Sequence, residues 1–184
     1  MVISWSSFLS SQSTVNTQQK TKRYTRGARG EVDSEWPDRP QGKTSKMLTN
    51  RREIQIEWGD CDPFGIVFFP RYFEYFDACT NALFHRALGY PKAEMLRRFQ
   101  IAGIPLVEAS CNFKLPSSYG DIVTVESCVT KWGTSSFSLQ HKLFRGDVLA
   151  VEGFEKRVWT VRDAVESSKV KGHPVPKEVI EKFS

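Results

Sequence analysis

The spacing of apolar positions shifts along the chain, and each shift marks an element. Residues 49–58 alternate, with Ile54, Ile56 and Trp58 on one side, which predicts a first strand. From Pro70 onward Phe73, Phe76, Thr80, Leu83, Phe84 and Ala87 recur at helical spacing. Pro70 suits the first helical position, where its missing N–H costs nothing. Leu88-Gly89-Tyr90-Pro91 then supplies a glycine stop followed by a proline. Phe69, Tyr72 and Ala78 flank the main stripe, so this long helix needs cover on several sides. Residues 92–99 read as a short helix or turn. From Ile104 the period drops to two. Strands are expected over 104–115, 121–132, 135–145 and 148–162, separated by Pro116-Ser117-Ser118, Gly133 and Gly146-Asp147. A terminal helix is expected over 176–183. One strand, a long helix and four strands in meander order predict an α+β domain.

The chemistry concentrates where the first strand meets the helix, in the stretch from Trp58 to Phe73. Asp62-Pro63-Phe64-Gly65 fits a type I turn, with Asp first, Pro second and Gly fourth. A carboxylate beside a helix start also fits hydrolysis. Its side chain can act as base or nucleophile. The unpaired N–H groups of the helix start can receive a carbonyl oxygen as it becomes negative. Both readings stand, because a turn can aim the carboxylate it holds. Phe64, Phe68 and Phe69 are expected to keep water from Asp62. Asp60 reads as a turn residue. Cys61 lies between two carboxylates, the opposite of the electropositive surroundings that activate a thiol. His141 is a lone histidine on an apolar strand face and reads as a core or interface residue.

The run Gly59-Asp60-Cys61-Asp62-Pro63-Phe64-Gly65-Ile66-Val67-Phe68-Phe69-Pro70-Arg71-Tyr72-Phe73, with Asp77 further on, resembles the hotdog-fold thioesterases of the 4-hydroxybenzoyl-CoA thioesterase family. The resemblance runs from about Arg51 to about Val161. It includes Ser110-Cys111-Asn112, Ser118-Tyr119-Gly120-Asp121, Lys131-Trp132, Ser136-Phe137 and His141. It implies a hotdog fold, an antiparallel curved sheet wrapped around one long helix. It implies an acyl-CoA thioesterase that hydrolyses an aromatic acyl-CoA such as 4-hydroxybenzoyl-CoA to the free acid and CoA. A short-chain acyl-CoA or acyl-carrier-protein thioesterase, and a non-catalytic acyl-binding protein, are the alternatives.

By the same resemblance Asp62 is catalytic and the Phe69 N–H polarises the thioester carbonyl. Gly65 and Asp77 fall at substrate-binding positions, Asp77 either near a ring hydroxyl or as an exposed helical residue. The aromatic-acyl branch carries basic residues for CoA phosphates after the position of Trp132. Here Gly133-Thr134-Ser135-Ser136 stands there instead. Thr134 and Ser135 remain as hydrogen-bonding candidates, with Lys131 or Arg145 to supply charge. A thioester leaves as a stable thiolate, so neither metal nor cofactor is implied. The family is built from homodimers, often homotetramers, with each site shared across an interface. The edge strands and apolar helix flank need such cover.

Composition narrows the classes. The chain has 184 residues, with 13 Phe and 5 Trp, which allows one core-forming domain over 47–184. Residues 1–46 are rich in Ser, Thr, Gln, Gly and Arg without apolar period and read as a disordered basic tail. Met47 reads as an internal translation start. The net charge is +5, but the first 46 residues carry eight Lys/Arg against four Asp/Glu, and the rest eighteen against seventeen. The folded part therefore lacks a nucleic-acid footprint. No apolar run approaches the ~20 residues of a membrane span, and residues 1–9 do not read as an export signal. Cys61, Cys79, Cys111 and Cys128 form no Cys-x-x-Cys pair, which disfavours zinc and redox chemistry. A cytoplasmic protein with reduced thiols is expected.

Overall fold

The computed structural model describes residues 47–163, 166 and 168–184. The expected tail, residues 1–46, lies outside the described residues. Strand β1 (Thr49–Gln55) leads through a 3-10 turn (Trp58–Asp60) to helix α1 (Pro70–Leu88) and helix α2 (Lys92–Arg98). Four longer strands follow: β2 (Leu106–Phe113), β3 (Ile122–Trp132), β4 (Ser136–Arg145) and β5 (Val148–Val158). Short strands β6 (Thr160–Arg162) and β7 (Val170–Gly172) and helix α3 (Lys177–Glu181) complete the chain. No helix among the described residues is long and apolar enough to cross a membrane.

Helix α1 ends as its sequence dictates. Gly89 adopts φ 81°, and its N–H closes on the His85 carbonyl at 2.8 Å. The helix lies against one face of a five-stranded antiparallel sheet ordered β1-β3-β4-β5-β2. Its N-terminal half packs Tyr72, Phe76 and Cys79 among Ile56, Val123, Val125, Leu143 and Val151. Its C-terminal half packs Leu83 and Phe84 among Met95, Phe137, Leu139, Trp159 and Phe183. The central close approach falls on Gly153 of β5. A Cβ there would sit 2.3 Å from Cε2 of Phe76, so only glycine lets this aromatic ring reach the sheet.

The strand order corrects the four-strand meander. Only β3, β4 and β5 form one. β3 has β1 on its other side, with Ile54 opposite Val123, so no edge remains there for β2. β2 crosses to pair with β5, with Phe113 opposite Val151, and becomes an edge strand with mostly exposed residues. The long strand expected over 148–162 is broken. At Trp159 the chain leaves the sheet, its indole is buried, and its N–H donates to the Ser135 carbonyl. β6 then pairs with β7, and its Thr160 also bridges to Gly103. The first strand is also shorter than expected. Ile56 is fully buried, whereas Trp58 turns out on the 3-10 turn and is 74% exposed.

Candidate active site

Residues 57–69 form a compact loop held almost wholly by its own backbone. The Gly65 N–H donates to the Asp62 carbonyl at 2.9 Å, which closes the expected turn. Gly65 has φ 77°, a left-handed conformation suited to glycine. The Asp62 N–H donates to the Ile66 carbonyl, and the Phe68 N–H donates to the Asp60 carbonyl at 2.8 Å. Cys61 and Val67 therefore face each other in a small antiparallel bridge. The Val67 N–H reaches the Ser117 carbonyl, tying the loop to the segment before β3.

This weave leaves particular groups unused. Asp62 Oδ1 accepts the Phe64 N–H at 2.9 Å, a local bond typical of a turn aspartate. Among the described residues no hydrogen bond reaches Asp62 Oδ2. The Phe68 N–H is taken and Pro70 has none, so the amide left open at the start of α1 is that of Phe69. Asp60 is spent on structure: its Oδ2 accepts the Glu57 N–H at 2.9 Å, and Arg71 lies 3.7 Å from its Oδ1. The hairpin thus carries Asp62 and Gly65 at its turn and the Phe69 amide where it meets α1.

An apolar cleft of about 370 Å³ opens beside Phe69. Ile66, Val67, Tyr72, Phe113 and Leu115 line it, with Lys114 as its one charged wall residue. Burial pushes the Tyr72 phenol above its ordinary range, with Ser117 opposing the shift. Phe64, Phe68 and Phe69 are 89%, 49% and 58% exposed. They were expected to keep water from Asp62, and a single chain does not fold them over it.

The other candidates fall elsewhere. Asp77 is neither an idle surface residue nor a wall of that cleft. Its Oδ1 accepts from Nη2 of Arg157 at 2.7 Å, and its Oδ2 accepts from Asn81 at 3.2 Å. Lys131, Thr134 and Ser135 sit at the β3–β4 hairpin, where the Thr134 and Ser135 carbonyls accept from Val175 and Trp159. The Asp62 loop borders the opposite end of β3, next to Ser118. β3 has 11 residues, roughly 35 Å at about 3.3 Å each. One chain does not bring these residues to Asp62. Arg145, the other cation considered, binds the Pro116 carbonyl at 2.8 Å, at the cleft end of the sheet.

Pattern reading missed a buried polar cluster beneath α1. Glu155 and Arg157, 4% and 3% exposed, project inward from β5. Glu155 Oε2 accepts from Arg157 Nε at 2.8 Å and from Thr80 at 3.1 Å. His141 Nε2 lies 3.5 Å from the same oxygen, and His141 Nδ1 is 2.8 Å from the Ser127 hydroxyl. The imidazole stacks on Phe76 at 4.7 Å and is fully buried, so His141 is a core residue. Burial opposes ionisation of Glu155, but His141 and Arg157 overcome it and hold the carboxyl down to about 2. No local signal singled the cluster out, since Val151-Gly153-Glu155-Arg157 and Glu152-Phe154-Lys156-Val158 carry two charges each.

The loop presents a carboxylate oxygen and an open amide at the start of a helix, the minimum needed to attack an acyl group and hold its oxyanion. The relatives of the chain match that chemistry. The thioesterase-like superfamily profile matches residues 56–183. A 4-hydroxybenzoyl-CoA thioesterase of Pseudomonas sp. (strain CBS-3) is 34% identical over 132 residues, 69% of this chain and 92% of that protein. The three-dimensional structure of the 4-hydroxybenzoyl-CoA thioesterase from that strain superposes with a TM-score of 0.67 at 29% identity, covering 73% of this chain and 99% of the other. A gentisyl-coenzyme A thioesterase structure gives 0.62 at 32% identity, covering 71% and 99%. With sheet, wrapped helix and loop in agreement, the chain belongs to the thioesterase-like superfamily and is a hotdog-fold thioester hydrolase.

Proposed function

We propose that the chain hydrolyses an aromatic acyl-CoA of the 4-hydroxybenzoyl-CoA kind to the free acid and CoA. The observation that supports this reading is that one hairpin carries both a carboxylate oxygen without a recorded hydrogen bond, Asp62 Oδ2, and the open Phe69 N–H. The thioester carbonyl oxygen accepts the Phe69 N–H, which stabilises the charge that develops on it. Asp62 either adds to the carbonyl carbon or takes a proton from the water that does. The tetrahedral centre collapses and CoA leaves as its thiolate. Gly65 lets the loop approach the substrate without a side chain in the way.

Helix geometry supports a single-ring acyl group. Phe69 and Asp77 are eight positions apart on α1, a rise of about 12 Å at ~1.5 Å per residue. Two hydrogen bonds of about 2.9 Å, one at each end, leave roughly 6 Å for the acyl group from its carbonyl oxygen to the group that meets Asp77. That matches one benzene ring from its carbonyl to its para oxygen. Phe69, Phe73 and Asp77 also follow at four-residue spacing along one flank. The relatives named for 4-hydroxybenzoyl-CoA and gentisyl-CoA both carry hydroxylated benzoyl groups in their names.

The working unit in this reading is a homodimer or homotetramer. A second copy covers the exposed Phe64, Phe68 and Phe69 and brings its own Lys131, Thr134 and Ser135 to the CoA phosphates. The experiment is release of free CoA thiol from 4-hydroxybenzoyl-CoA, benzoyl-CoA, acetyl-CoA and an acyl-carrier-protein thioester, with wild type and Asp62→Ala. Preference for the hydroxyaryl thioester, abolished in Asp62→Ala, is expected. Undiminished turnover by Asp62→Ala would sink the mechanism, and preference for acetyl-CoA would sink the substrate class.

A further inference from the structure

The buried cluster beneath α1 has no part in the chemistry at Phe69, yet its geometry ends on the helix flank where the acyl group would lie. Arg157 spends its fork on three elements. Nε goes to Glu155, Nη1 to the Ile104 carbonyl at 3.3 Å, and Nη2 to Asp77. Stability alone explains this poorly. Buried ion pairs give little net stabilisation because desolvation cancels their attraction. Here Glu155 Oε1 and Asn81 Oδ1 are also buried without a hydrogen-bond partner among the described residues, and each such atom costs stability. The outcome visible at the surface is one oriented carboxylate. Asp77 is half exposed, with a side-chain exposure of 51%, but its two oxygens are held by Arg157 and Asn81. An aspartate without those partners would sample several rotamers.

We propose that Arg157, itself held by Glu155, positions Asp77 so that the acyl site selects groups ending in a hydrogen-bond donor. This inference rests on the aryl-thioesterase reading above. The charge-assisted bond from Arg157 at 2.7 Å keeps the Asp77 carboxylate aimed. An ionised carboxylate accepts hydrogen bonds and donates none. It therefore pairs with a phenolic hydroxyl and repels a carboxylate at the same place. An unsubstituted ring desolvates the outer lone pairs of Asp77 without offering them a donor, which is how a polar site rejects an isostere lacking the hydroxyl. Arg157 touches no substrate in this scheme and acts only through Asp77.

The test compares kcat/KM for 4-hydroxybenzoyl-CoA with that for benzoyl-CoA on the full chain. Wild type is expected to favour the hydroxylated substrate. Glu155→Gln/Arg157→Met removes both buried charges together and should cut that ratio about tenfold, the scale of one hydrogen bond to a charged group. Arg157→Lys keeps the charge and loses the fork, so it supplies a second reading if the double variant does not fold. It should also lower the ratio. A purely structural role would slow both substrates alike, so an unmoved ratio in either folded variant overturns the proposal. Wild type that hydrolyses neither substrate overturns the aryl-thioesterase reading together with this one. Hydrolysis with an unmoved ratio overturns the positioning role alone.

Discussion

Two acidic centres touch helix α1, and they are built in opposite ways. At the start of the helix, Asp60 and Asp62 take hydrogen bonds from Glu57 and Phe64, residues two or three positions away. They sit in a loop whose aromatic side chains are exposed. At the middle of the helix, Asp77 and Glu155 meet at Arg157, and Asp77 lies 80 positions from that partner. That centre is buried on its sheet side. The difference teaches what each costs. The loop leaves an oxygen and an amide uncommitted, with little stability at stake, which suits a reacting group. The interior cluster commits its charges to one another, so removing one exposes the fold to an unpaired buried ion.

This contrast is broken most directly at Asp62. Asp62→Asn should lower kcat by about a thousandfold while the melting temperature stays near that of wild type. A melting loss in step with the activity loss would make Asp62 a turn residue like Asp60. Next in size, Arg157→Ala should cost about 3 kcal/mol in urea unfolding, because Glu155 is left charged and buried. A loss below about 1 kcal/mol, the scale of a surface pair, would erase the distinction between the two centres. Gly153→Ala tests the packing beside that cluster. Its Cβ would collide with the Phe76 ring, and overpacking of this kind costs about 2 kcal/mol. An unchanged melting curve would show that the ring has room to move.

The smallest effect concerns acid. The Glu155 carboxyl is held down to about 2 from an ordinary 4.5. Its contribution to stability is therefore complete above about 4.5 and is lost as pH falls toward about 2, because the unfolded chain takes up the proton first. Exposed Glu94, held near 2 by hydrogen bonds from Arg97 and Arg98, titrates over the same range. The difference between wild type and Glu155→Gln isolates the buried group. Parallel stability curves for the two proteins between pH 5 and pH 2 would contradict the sharp distinction drawn between interior and loop.

Much of the frame was legible beforehand. α1 begins at Pro70 and stops at Gly89 because a proline without an N–H and a glycine able to turn left-handed are local instructions. β3 and β4 begin one residue later than expected and end where expected, since strict alternation fixes a strand. The Asp62 turn formed for the same reason. β5 resisted such reading. Its two parities are Val151-Gly153-Glu155-Arg157 and Glu152-Phe154-Lys156-Val158. Each carries two charges and Phe154 and Val158 favour the second, yet the parity of Glu155 and Arg157 is the one that faces α1.

By itself the sequence determined the long helix, the β3–β4 hairpin, the carboxylate turn and the helix start that leaves the Phe69 amide open, because each depends on residues a few positions apart. Tertiary structure alone decided that β2 crosses to β5, that Glu155 and Arg157 face inward to grip Asp77, and that Thr134 and Ser135 stand a full strand's length from Asp62. Those outcomes depend on which edge remains unpaired and on which face of a strand finds partners for its charges. Such partners lie tens of residues away in the chain, beyond the reach of any local pattern.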